Sequence, residues 1–167
     1  MTAHSDLAAV RRVMAAFQEG YLRRDPARLD DFMTLFSADA ELEVIGTGAL
    51  EVGQGEWCLG PAMVRELVMS DWQGWGDLRL DLENARVRLN GDTAWLATGA
   101  AVSTHIDRDK ACQDYLDFAA GLARDDSPAV ERLLRMMQGA AGTLYEVQRG
   151  EVFTWPLRFT AVLTREA

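Results

Sequence analysis

The run "LRLDLENARVRLNGDTAWLATGAAVSTHI", Leu78 to Ile106, restricts the possible folds more than any other part of the chain. Leu78, Leu80 and Leu82 alternate with Arg79, Asp81 and Glu83. Successive side chains of a strand point to opposite faces, so a period of two buries one face and leaves the other in water. Val87 and Leu89 continue the pattern, Asn90-Gly91-Asp92 turns the chain, and Ala94, Leu96, Thr98, Ala100 and Val102 return along a long partner strand. A last strand is predicted in "VFTWPLRFTAVLTRE", with Phe153, Trp155, Leu157, Phe159, Ala161 and Leu163 on one face. Pro156 lacks a backbone donor, so a bulge or strand end is expected there.

An antiparallel sheet with one apolar face needs a cover, and the cover comes first in the chain. Ser5 is expected to cap a helix whose Leu7, Val10, Met14, Phe17 and Tyr21 recur at three and four. Asp25-Pro26 starts a second helix with Leu29, Phe32, Met33 and Phe36 on one stripe. "ELEVI" alternates from Glu41 until "GTG" breaks it, and "ALEVGQGEWCL" is a second extended piece. Gly60-Pro61 opens a short helix, with Met63, Val64, Leu67 and Val68 inside, that ends near Ser70. The glycine-broken stretch "DWQGWGDLRLD" then places Trp72 and Trp75 in a connection.

Between the last two strands a helical insertion is predicted, about Asp109 to Gly150. Ala111, Tyr115, Phe118, Ala119 and Leu122 form the stripe of its first helix. Ser127-Pro128 starts another bearing Val130, Leu133, Leu134 and Met137, which "GAAG" ends, and "TLYEVQRG" is a helical turn or extended link. The predicted fold class is α+β: a curved, mostly antiparallel sheet packed by N-terminal helices, with a helical insertion before the last strand. One domain is expected over residues 1–167, a length at which roughly 70% of the unfolded chain's surface is buried. No βαβ alternation and no glycine-rich phosphate loop is present, which argues against a nucleotide-binding α/β fold.

Charge narrows the partners. The formal net charge is −9 and Lys110 is the single lysine, so no nucleic-acid partner is expected. The start "MTAHSDLAAVRRVMAAF" has no basic leader followed by an apolar stretch, and no segment approaches 18 uninterrupted apolar residues. A cytoplasmic protein with no membrane partner is expected. Cys58 and Cys112 are far apart and outside any CxxC, and are read as reduced thiols.

"VMAAFQEGYLRRDPARLDDFMTLFSADAELEV", "GQGEWCLGPAMVREL" and "GDTAWLATGAAV" together resemble the SnoaL-like branch of the nuclear transport factor 2-like superfamily. The positions that carry the resemblance are Asp25, Leu29, Phe36, Asp39, Gly60 to Val64 and Gly91-Asp92-Thr93-Ala94. It spans roughly residues 6 to 106 and again 152 to 166. It implies a cone formed by the sheet and helices, an apolar cavity for a small hydrophobic ligand, and homodimerisation through the sheet. It also implies cofactor-free acid–base chemistry of the isomerase, dehydratase or cyclase type, or else a non-catalytic interaction domain. The insertion exceeds the usual connection in this fold, and relatives commonly continue past "AVLTRE" into a further strand containing tryptophan.

Each candidate residue has two readings. His105 is a general base near neutral pH or an exposed strand-end histidine. Glu43 is a carboxylate raised by an apolar surround, or it simply faces water beside Glu41. Arg158 orients an anionic group or lies on the sheet surface. Tyr21 and Tyr145 are oxyanion donors, or Tyr21 packs in the core and Tyr145 closes over the mouth. Trp57, Trp72 and Trp75 form a rim for a flat apolar ligand, or a hydrophobic plug or dimer contact. Asp25, Asp39 and Asp92 are caps and turn residues, and no metal site is expected because ligands for one are lacking.

Overall fold

A computed structural model describes residues 3–165 of the chain. Among the described residues the fold is α+β, with five α-helices and antiparallel sheets that do not close. The chain divides into two compact units, Met1–Val102 with Trp155–Ala167, and Ser103–Thr154.

In the first unit, α1 (Ala3–Arg23) runs through Ser5, so that serine lies inside the helix rather than at its cap. Arg24 follows α1 at φ 49°, a left-handed position that usually takes glycine. Its guanidinium holds the place by reaching Asp77 at 2.5 Å and the Tyr21 carbonyl at 2.9 Å. The predicted second helix is shorter than its apolar stripe. Asp25 accepts from the Ala27 N–H at 3.0 Å and starts a single 3₁₀ turn, Pro26–Arg28, which leads into α2 (Leu29–Met33). Phe36 lies beyond it and still packs on the core.

β1 (Glu43–Ala49) and β2 (Gly55–Leu59) pair antiparallel, with Val44 opposite Cys58 and Ile45 opposite Trp57. β1 runs on through the "GTG", but the expected break in the pattern is there: the register shifts between Ile45 and Ala49 and the alternation lapses. Gly46 and Gly48 are needed there because Glu56 lies across them: a Cβ on Gly46 would sit 2.3 Å from its Oε2. α3 (Gly60–Gly74) also outruns its predicted end near Ser70. Trp72 therefore belongs to a helix and Trp75 closes it, and the expected tryptophan loop is absent. Val64, Val68, Asp71 and Trp75 follow at four, three and four, which continues the inner stripe by one turn.

β3 (Asp77–Leu80), β4 (Arg86–Asn90) and β6 (Val152–Thr164) all pair with the long β5 (Thr93–His105). The predicted hairpin is present, with Leu89 opposite Ala94, Asn90 opposite Thr93, and Gly91 at φ 58° in the turn. Alternation holds along β5: Ala94, Leu96, Thr98 and Val102 are buried and Trp95 is exposed. β6 runs on across Pro156 with its burial still alternating, so no strand end occurs there. β6 pairs with β5 on one side, and an edge strand tolerates a missing donor on the other. The core consists of Val10, Met14, Tyr21, Leu29, Phe32, Cys58, Val64, Val68, Leu78, Leu80, Ala94, Leu96 and Val102, all from this unit.

The second unit contains α4 (Arg108–Ala123) and α5 (Ala129–Gln148). Asp107 caps α4 by accepting from the Lys110 N–H at 3.0 Å. α5 runs through "GAAG" to Gln148, so the expected break is absent. Gly139 sits at the helix crossing, where an added Cβ would lie 3.1 Å from Phe118 and 3.3 Å from Tyr115. Tyr115 donates to the Met136 carbonyl at 3.0 Å. Cys58 is buried, Cys112 is exposed, and both are unpaired.

Candidate functional site

Tyr21 and Asp71 meet in the first unit from positions 50 residues apart. α1 presents Tyr21 on the same stripe as Val10 and Met14, where it is buried. α3 presents Asp71 one turn after Val68. The Tyr21 hydroxyl donates to Asp71 Oδ2 at 2.8 Å. Burial pushes the Asp71 carboxyl up to about 6; the Tyr21 hydrogen bond opposes this, and the negative charge of Glu56 adds to it. Tyr21 is driven far above the ordinary phenol value by burial, then by Asp71 and Glu56, so it stays a neutral donor. Burial, with Glu56 next, also raises the Cys58 thiol.

Glu56 reaches this neighbourhood because it shares the inner face of β2 with Cys58, two residues on. Its carboxylate accepts from the Gly48 N–H at 2.6 Å. Aromatic rings wall the pair. Ring centroids lie 5.0 Å apart for Phe17 and Tyr21, 5.8 Å for Tyr21 and Trp75, and 5.9 Å for Tyr21 and Phe32. Phe32 and Trp72 lie 5.1 Å apart. The Trp72 Nε1–H is buried with no acceptor, an unmet donor inside an otherwise apolar wall. Outside it, Gly20, Phe32, Leu35 and Trp72 line a depression of about 230 Å³, rimmed by charged residues including Arg23 and Asp31. That is smaller than the roughly 300–1,000 Å³ typical of ligand pockets.

The other sequence-predicted residues lie elsewhere. Glu43 is exposed on β1 and accepts from Trp57 Nε1–H at 2.5 Å. Trp57 alternates with the inward Glu56 and Cys58, so it faces away from Trp72 and Trp75. Arg158 is exposed on β6, near Gly99 of β5 and in a different sheet from Glu43. In the second unit His105 is exposed at the end of β5, and Tyr145 lies on α5 with its hydroxyl accepting from Arg149 at 2.9 Å. The Arg149 guanidinium also stacks over the Tyr145 and Phe153 rings, at 4.3 and 3.9 Å from their centroids. Asp71 and Glu56 escape a sequence reading because neither has a catalytic motif around it. The signal for Asp71 is its place on the Val64–Val68 stripe, visible once the helix is extended past Ser70.

Residues 10–127 match the family described as SnoaL-like domain, and the chain belongs to that family. Among solved structures it resembles an NTF2-like family protein from Streptomyces avermitilis, proposed there to be a dehydratase. The two share 17% identity at a TM-score of 0.50, over 61% of this chain and 74% of that one. At that identity the likeness supports the cone-like fold alone. No curated protein sequence matches the chain. Among the described residues no helix is long and apolar enough to cross a membrane.

Proposed function

We propose that the protein binds a small hydrophobic molecule bearing a carbonyl or hydroxyl group against the Tyr21–Phe32–Trp72–Trp75 wall, and that Asp71 exchanges a proton with it. The observation that carries this reading is the Tyr21–Asp71 hydrogen bond at 2.8 Å, with a carboxyl raised to about 6 and a hydroxyl that stays protonated. A base of that strength is half ionised near pH 6 and mostly ionised at neutral pH, within the range where general catalysis is efficient. Tyr21 sets the Asp71 carboxylate in place, and the unmet Trp72 Nε1–H offers a donor to a ligand oxygen. Moving a proton next to a carbonyl suits isomerisation, dehydration or cyclisation, and it requires no redox cofactor. Glu56 and Asp71 make the inner face acidic, which favours neutral substrates over carboxylates or phosphates. We place the protein in the cytoplasm as a homodimer, where Cys58 and Cys112 stay reduced.

The test is a ligand screen by native mass spectrometry, followed by proton–deuterium exchange at acidic C–H positions of any ligand found. Wild type should exchange with an apparent pKa near 6, and Asp71→Asn should bind the ligand yet exchange at least a hundredfold more slowly. Equal exchange by both proteins would remove Asp71 from the reaction. A non-catalytic interaction role is the second reading, and the exposed face of α5 favours it.

A further inference from the structure

α5 has two apolar faces, and only one is used within its own hairpin. Arg132, Met136, Gly139, Ala140, Thr143 and Val147 are partly covered. On the opposite side Val130, Leu133, Leu134, Met137, Leu144 and Tyr145 are each more than half exposed, Val130 by 80% and Met137 by 64%. Val130, Leu134, Met137, Ala141 and Leu144 follow at four, three, four and three, the 3.5-residue period of a helix–helix seam. Six large apolar side chains on one five-turn face exceed the few hundred Å² that a monomer ordinarily shows. Leu116 of α4 is exposed as well, and a stable interface takes roughly 800 Å² per partner.

The order of residues along this face indicates what covers it. About Gly139 the helix is nearly palindromic along this face: Leu134 mirrors Leu144, Leu133 mirrors Tyr145, and Met137 mirrors Ala141. A two-fold interface brings each residue against its mirror position, so self-complementarity about a point is what an antiparallel pair of identical helices requires. Large side chains then meet at both ends, and the small Ala141 receives Met137 near the centre. Charge agrees. No charged residue lies on the Val130–Leu144 seam, and the charges elsewhere on α5, Glu131, Arg132, Arg135 and Glu146, sum to zero although the chain carries −9, so two copies meeting here do not repel.

We infer that two copies of the chain associate through α5, antiparallel about Gly139, so that the insertion is a self-association hairpin and the pair forms a four-helix bundle. α5 is a different element from the strands that carry the exposed Trp95 and Val162, and the inference does not depend on the Tyr21–Asp71 reading.

The test uses the full chain with Cys112→Ser, carrying either Leu134→Cys or Leu144→Cys on differently tagged copies, under mild oxidation. Leu134→Cys should cross-link to Leu144→Cys at least fivefold more than to itself. Sedimentation of Leu134→Glu/Met137→Glu should show self-association weakened at least tenfold, with far-UV helicity unchanged. A monomer at all concentrations, or a dimer dissociated by Trp95→Glu but not by the α5 changes, would overturn the inference.

Discussion

At the residue scale, Asp71 combines a functional geometry with a cost. Its carboxyl is raised to about 6, above the ordinary aspartate value near 3.9 in an unfolded chain. The folded state therefore holds the proton more tightly. That stabilisation is fully present below about pH 4 and is lost as pH rises through 6, when the buried group must ionise. After discounting for partial exposure, the loss is about 1–2 kcal/mol. Asp71→Asn should accordingly raise Tm at pH 8 by a few degrees and change it little at pH 4, as read by calorimetry at both values. Tyr21→Phe removes the donor that lowers the Asp71 value, so NMR titration of the Asp71 carboxyl should place it above 6. A fall in that value would contradict the assigned cause. Tyr21 was visible from the helical period, and Trp72 and Trp75 from their spacing. The pairing with Asp71 was not, because a contact across 50 residues leaves no local pattern.

At the scale of elements, the β1–β2 hairpin shows glycine used for close approach. Gly46 and Gly48 leave space for the Glu56 side chain, which β2 directs inward beside Cys58. Gly46→Ala would set a methyl 2.3 Å from Oε2 and 2.8 Å from Cβ of Glu56, forcing the carboxylate aside. A cost of about 1–3 kcal/mol is expected. Most of it should disappear in Gly46→Ala/Glu56→Ala, so a denaturant double-mutant cycle should be strongly non-additive, whereas additivity would place the strain elsewhere. The hairpin also shows why local reading stopped short. Two glycines in a strand ordinarily weaken it, and only the facing side chain shows why they are present. α3 is similar: the glycine-broken stretch after Ser70 reads as a connection, yet packing of Trp72 and Trp75 on the core carries the helix on to Gly74.

At the scale of the whole molecule, the two units differ in how they are held together. The core runs from Val10 to Val102 with side chains of Trp155 to Leu163 packed against it, and within Ser103–Thr154 Leu122 is the buried apolar side chain. A helix pair with so little buried surface opens more readily than a core of aromatic rings and aliphatic strands. Hydrogen exchange should find the α4 and α5 amides protected at least tenfold less than those of α1 and β5. If α5 is paired with a second copy, raising protein concentration should slow its exchange selectively. Protection of α5 equal to that of β5 under dilute conditions would mean that the hairpin is held more firmly than its burial indicates.

Sequence alone determined the α+β class, the order of the elements, the Asn90–Asp92 hairpin and the SnoaL-like family. These follow from periodicity, caps and turn residues, which act over a few positions. It also marked Tyr21, Trp72 and Trp75. Tertiary structure decided which of the proposed acids lie in water and which are enclosed: Glu43 on an outer face held by Trp57, Asp71 and Glu56 turned toward the core. The physical reason is desolvation. A carboxylate acquires an altered proton affinity from what surrounds it in three dimensions, and that surround is assembled here from α1, β2 and α3, each remote from the others in the chain.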